Sequence, residues 1–113
     1  MKRSDKLFLE DILECIDRIE EYTRNLAYGD FVEKQIVIDA VVRNLEIIGE
    51  ASKNLKDETR KQYKSIPWNR MIGLRNIIAH GYFGVDLSIV WRIITKNLPD
   101  TKPDIVKMYE TIE

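Results

Sequence analysis

The sequence predicts an all-α protein, an up-and-down bundle of about five helices, and three observations carry that expectation. Apolar residues recur at steps of three and four over two long stretches, which gathers them on one helix face. Five glycines and three prolines are too few for a turn-rich β-sandwich. Residues suited to starting or ending a helix stand close to where the stripes start and stop. With 113 residues the chain is expected to form one domain over 1–113. Such a chain hides roughly two-thirds of its unfolded surface on folding, so neither metal nor disulfide is needed to hold it together.

The first helix is expected from Ser4 to about Ala27, with Leu9, Ile12, Leu13, Ile16, Ile19, Thr23 and Leu26 on one face. Ser4 or Asp5 can cap its start, and Gly29, beyond Tyr28, is the residue expected to end it. Cys15 borders the stripe as a small core residue. The second helix, from about Phe31 to Leu55, repeats the pattern with Val37, Val41, Leu45, Ile48 and Leu55. On its flank Arg43, Glu46 and Glu50 fall within about 60° of one another. That flank fits local ion pairs on an exposed face, or a functional or interface role. Gly49 costs roughly 1 kcal/mol against Ala inside a helix, which suggests a close approach by another helix.

Lys56 to Lys64 reads as a polar connection without an apolar stripe. A third helix is expected from about Pro67 to His80, with Met71, Ile72, Leu74 and Ile78 inward and Gly81 as its stop. The loop from Tyr82 to Val85 leads to Asp86, an N-cap for a fourth helix containing Leu87, Val90, Trp91, Ile93 and Ile94. Leu98-Pro99 is expected to break that helix. A last one then covers about Asp100 to Thr111.

Composition narrows the chemistry. Eighteen Lys plus Arg against nineteen Asp plus Glu give a net charge of −1, which disfavours a strongly basic nucleic-acid binder but not a small basic cleft. One Cys and one His leave no internal disulfide, no zinc-type cysteine pairs and no His-rich metal site. Neither metal nor cofactor is expected. The residues after Met1 are studded with Asp and Glu, unlike a signal peptide, and no apolar run approaches the roughly 20 residues of a membrane helix. The expected location is the cytoplasm.

No glycine-rich phosphate loop is present, and no serine stands in a nucleophile-elbow context. The segment left is Arg75 to Tyr82. Asn76 and His80 are four apart and share a helix face, whereas Arg75 and His80 lie about 140° apart around the axis. One helix therefore does not aim both at one point, and a two-fold partner presenting the same helix would supply two copies of each. At a helix C-terminus His80 would feel a macrodipole that favours imidazolium, keeping it useful for proton transfer near neutral pH. Taken alone, His80 and Tyr82 fit better as a helix cap packed beside a loop.

With Arg75, Asn76, His80 and Tyr82 in those places, the sequence resembles the HEPN domains, and within them the HepT-like toxins of prokaryotic toxin–antitoxin pairs. Their motif is Arg, a polar residue, three residues, His, one residue and Tyr. The likeness extends to the stretch from Arg43 to Ala51, to Ile66-Pro67-Trp68, to Gly73-Leu74-Arg75-Asn76, and to Val90-Trp91 with Leu98-Pro99. It covers about residues 5 to 110.

The resemblance implies a metal-independent endoribonuclease working as a homodimer on RNA, with tRNA a candidate substrate. In it Arg75 and His80 would be catalytic, and Asn76, Arg43 and Glu50 would support them. The RNA 2′-hydroxyl would attack the adjacent phosphorus, leaving a 2′,3′-cyclic phosphate. The implied partner is an MntA-like nucleotidyltransferase antitoxin, which would transfer AMP from ATP to Tyr82 and silence the enzyme. The alternative is a non-catalytic subunit that binds nucleotide or substrate for that nucleotidyltransferase.

Overall fold

The computed structural model of the protein describes residues 4–79 and 86–112. Helix α1 runs over Asp5–Thr23, α2 over Tyr28–Phe31, α3 over Gln35–Asn54, α4 over Asp57–Gln62 and α5 over Trp68–Ala79. A final helix is continuous from α6 (Leu87–Arg92), through a wide π-type turn at Ile93–Asn97, into α7 (Leu98–Thr111). The fold is the expected all-α bundle. Helix α3 lies at its centre, packed along α1 on one side and α5 on the other, with α7 on α1.

Most of the two predicted stripes lies in the core, with Leu13, Thr23, Leu26 and Val37 only half-buried. Leu9, Ile12, Ile16 and Ile19 of α1 and Val41, Leu45 and Ile48 of α3 are all within 1% of complete burial. Met71 and Leu74 of α5 and Val90, Ile94, Leu98, Ile105 and Met108 of the final helix join it. Cys15 lies within that core, and burial raises its thiol pKa from 9.0 to about 11. Such a thiol is a packing group, as expected.

Several helix boundaries differ from expectation. Ser4 does cap α1, its Oγ accepting from the Leu7 N–H, but the helix stops at Thr23 rather than Ala27. The left-handed residue just past its end is Asn25, with φ 65°, and no described glycine has a positive φ. Asparagine tolerates that conformation because its short side chain can bond locally. Gly29 instead lies inside α2, whose first turn closes when Asp30 accepts from the Ala27 N–H. Phe31 therefore belongs to α2 and is wholly buried there, so the second long helix begins only at Gln35.

The polar connection Lys56 to Lys64 contains a helix, α4, held by partners far away in sequence. Asp5 is buried at the start of α1 and accepts from the Thr59 hydroxyl and, at 3.3 Å, from the Lys56 N–H. Arg60 donates to the Ser52 and Lys53 carbonyls at 2.9 Å each, satisfying the exposed C-terminal end of α3.

Leu98-Pro99 does not break the final helix. A proline at 99 would press its ring on the carbonyl of residue 95 in regular α geometry. One widened turn changes the register, so the Leu98 N–H bonds back to Ile93, five residues earlier. Pro99 thereby falls in the first turn of α7, where its missing N–H costs little. Asp86 caps α6 as expected, accepting from the Ser88 N–H at 2.9 Å; its carboxyl pKa is lowered by the Ser88 hydroxyl first and by this N–H second. The predicted stop at Gly81 and the loop from Tyr82 to Val85 lie outside the described residues.

Candidate functional site

The site is built at the crossing of α3 and α5, and Gly49 decides how closely they approach. A Cβ at Gly49 would stand 2.7 Å from the Arg75 backbone nitrogen and 3.2 Å from the Ile72 carbonyl oxygen. Only the absence of a side chain lets α5 lie on α3 there. The close approach suggested by an unfavourable glycine in a long helix is therefore present.

The same contact sets Arg75 beside the next residue of α3. Arg75 Nε lies 3.1 Å from Glu50 Oε1, with the arginine side chain 34% exposed and the carboxylate 48%. Glu50 engages Nε, and among the described residues nothing engages the two terminal nitrogens. An arginine held in this way keeps a planar, permanently charged pair of donors for a phosphate or carboxylate. Half-exposure limits the pair's worth to stability, roughly 0–1 kcal/mol, so its main effect is on where the guanidinium sits.

The remaining sequence candidates divide. Arg43 pairs with Glu46 of its own helix at 3.3 Å, while Glu50 pairs with Arg75. Asn76 is exposed, one residue after Arg75 on α5. His80 and Tyr82 lie outside the described residues. The sequence places Glu50 on a charged flank and, through the resemblance, among the supporting residues, without showing that its partner is Arg75. The available signal was its position next to Gly49, because the residue after a close-approach glycine is at the rim of the crossing.

One buried polar group went unnoticed. Asn44, 6% exposed on α3, donates to the Ala40 carbonyl at 2.8 Å, while its Oδ1 is buried without a partner among the described residues. Among the described residues no three His, Cys, Asp or Glu side chains gather as metal ligands. None of the described helices is long and apolar enough to cross a membrane.

The all-α bundle is the fold that the resemblance to HEPN domains implied. Comparison with known proteins gives the family: residues 12–108 match the family described as ribonuclease HepT-like, and the chain belongs to it. It is 43% identical over 108 residues to a protein of Thermococcus cleftensis named "Probable ribonuclease HepT", covering 96% of this chain and 98% of that one. It is 40% identical over 104 residues to a "Putative RNase" of Methanocaldococcus jannaschii, covering 92% and 95%. A protein of the same organism named "Gamma-glutamylcyclotransferase and putative RNase" is 42% identical over all 113 residues, and the chain spans only 51% of its length. No solved structure matches the chain.

Proposed function

We propose that this chain is a single-domain, metal-independent endoribonuclease that acts as a homodimer. The observation that carries the reading is Arg75, paired through Nε with Glu50, its terminal nitrogens unengaged among the described residues, at the arginine position of the family's motif. Relatives named as ribonucleases along nearly their full length support it.

In this mechanism the terminal nitrogens of Arg75 hold the scissile phosphate and stabilise the charge that develops on it. His80 takes the proton of the RNA 2′-hydroxyl as the oxygen attacks phosphorus. The bond from phosphorus to the 5′-oxygen breaks, and that oxygen receives a proton from the second His80 of the dimer, giving a 2′,3′-cyclic phosphate and a 5′-hydroxyl. Asn76 hydrogen-bonds the phosphate, and Arg43 and Glu50 support the arrangement from α3. Regulation falls to Tyr82. An MntA-like nucleotidyltransferase antitoxin transfers AMP from ATP to its hydroxyl, releasing pyrophosphate and the phenol proton, and the added phosphodiester pairs with Arg75 and keeps the substrate phosphate out.

The test is cleavage of RNA by the purified protein in excess EDTA, with end-group analysis of the products. Cyclic phosphate ends are expected, with a loss of about 10² to 10⁴-fold for His80→Ala. Binding without cleavage would instead favour a subunit that only holds nucleotide or RNA. Intact-mass measurement after incubation with the antitoxin and ATP tests the modification: wild type should gain AMP, and Tyr82→Phe should not.

A further inference from the structure

The segment joining α3 to α5, polar and unpatterned in sequence, forms one wall of a groove. The N-terminal turn of α5 forms the other, and the space between them is about 600 Å³, open to solvent. Lys61, Lys64 and Arg70 line it, with Asn69 beside them. The acid in the lining, Asp57, is ion-paired to Arg60, so those two charges offset each other.

Six other cations are charge-paired, whereas Lys34, Lys53, Lys56, Arg92, Lys96 and Lys107 have no carboxylate partner among the described residues, so what distinguishes these three is that they line one groove. Arg18, Arg24, Arg43, Arg60, Arg75 and Lys102 each sit on a carboxylate. Lys61, Lys64 and Arg70 have no such partner among the described residues. In a chain of net charge −1, three uncompensated cations around one groove are a local concentration, not a sample of a basic surface. The first turn of α5 carries no acidic residue, so its helix dipole adds to the field instead of being neutralised.

An open groove with spread cations suits a chain of phosphates better than one enclosed anion. It offers little to read bases with. Trp68 is 7% exposed, and its indole N–H is already donated to the Tyr63 carbonyl at 3.1 Å. Arg70 precedes Arg75 by five residues, about 7.5 Å along α5 and 140° around it. A strand that engages both must wrap part-way round the helix, which a single strand can do and a stiff duplex cannot.

We infer that this groove binds the sugar–phosphate backbone of single-stranded RNA flanking the cleavage site, through Lys61, Lys64 and Arg70 and without regard to base sequence. The inference rests on the ribonuclease reading above. It makes the groove a substrate-positioning surface, separate from the reacting phosphate at Arg75.

The experiment uses the full chain and a mixed-sequence 20-mer RNA with every 2′-hydroxyl methylated, so that it binds without being cut. Affinity is measured over a range of KCl concentrations for wild type, for Lys61→Gln/Lys64→Gln, and for a triple variant adding Arg70→Gln. Counterion release gives roughly 0.7 in the log–log salt slope per single-strand phosphate contact. The slope should therefore shrink by about 1.4 in the double variant and about 2 in the triple, with affinity about 10²-fold weaker for the triple at 0.1 M salt. Circular dichroism checks folding, and the double variant keeps the test valid should the triple misfold. If wild type cleaves RNA while the variants keep its affinity and salt slope, the groove assignment fails and the ribonuclease reading stands. If binding depends on the groove but wild type cuts no RNA, the groove stands as an RNA-binding surface, while its place beside a cleavage site falls with the ribonuclease reading. A wild type that neither binds nor cuts RNA overturns both.

Discussion

Replacing Gly49 by alanine tests the crossing that places Arg75. The new Cβ would meet the Arg75 backbone nitrogen at 2.7 Å, where ordinary contact begins near 3.4 Å, so α5 must retreat by roughly 0.7 Å, the shortfall between the two. The Ile72 carbonyl, at 3.2 Å, is the second obstacle. Both atoms are helix backbone, and no rotamer change relieves them. Alanine gains about 1 kcal/mol of helix propensity, whereas overpacking a tight contact costs about 1–3 kcal/mol. The expected net is a loss of about 1 kcal/mol, or about 4 °C in Tm for a domain of this size. Gly73 is the internal control, because a Cβ there meets nothing within 4 Å. Gly73→Ala should keep the whole propensity gain and stabilise by about 0.5–1 kcal/mol. Two identical substitutions on crossing helices should thus differ in sign, by about 2 kcal/mol in urea unfolding. Displacement of Arg75 by the retreat should also slow RNA cleavage at Gly49→Ala, by up to about 10²-fold. If Gly49→Ala is as stabilising as Gly73→Ala and cuts RNA at the wild-type rate, the crossing does not position the arginine.

Glu50→Gln should lower RNA cleavage by roughly tenfold through kcat while moving stability by less than about 1 kcal/mol, since the half-exposed pair orients Arg75 more than it stabilises the fold; equal effects on stability and rate would count against that role. Cys15 has a folded pKa of about 11 against 9.0 in the unfolded chain, so its contribution is fully present below pH 9 and is lost as pH rises towards 11. Urea unfolding at pH 8 and pH 10.5 should show wild type losing about 2 kcal/mol more than Cys15→Ala across that interval, and parallel losses would refute it. Lys102 bridges α7 to α1, 2.9 Å from Asp17 and 3.0 Å from Glu20, contacts that raise its pKa. Lys102→Met should cost about 0.5–1 kcal/mol at low salt and less in 1 M NaCl; a salt-independent cost would assign the effect to packing of the lysine stem.

What the sequence showed and what it hid follow from the range of the interactions involved. The stripes of α1 and α3 were legible because burial imposes a period of 3.6 on residues of the same helix, and Ile12, Ile16, Val41 and Ile48 are buried accordingly. Helix α4 was not. Thr59 is its one buried residue, and what fixes it is Asp5, more than fifty residues away. Its first turn carries Asp57 and Glu58 and its last carries Arg60 and Lys61, the order that suits a helix dipole, but that signal is small beside a missing stripe. The end of α1 was misplaced for a related reason. Glycine is the commoner left-handed stop, so Gly29 drew the boundary away from Asn25, where the chain turns. Pro99 misled in the opposite direction, because a proline breaks a helix only if the helix keeps its register.

At the candidate site, adjacency in sequence becomes division of labour in space. Gly49 and Glu50 differ by about 100° around α3, so one can face α5 while the other stands at the edge of the contact. The glycine admits the α5 backbone, and the glutamate meets the side chain that emerges from it. Arg43 lies seven residues before Glu50, nearly on the same face but about 10.5 Å along the axis, with Glu46 between them. It is therefore held by Glu46 and leaves Glu50 to Arg75. Had Glu50 engaged the terminal nitrogens of Arg75, the two donors best shaped for a phosphate would be occupied. Pairing through Nε leaves those two donors free of Glu50. A carboxylate beside a phosphate-binding arginine looks like a competitor for the phosphate, yet in this geometry it orients the arginine that would receive it.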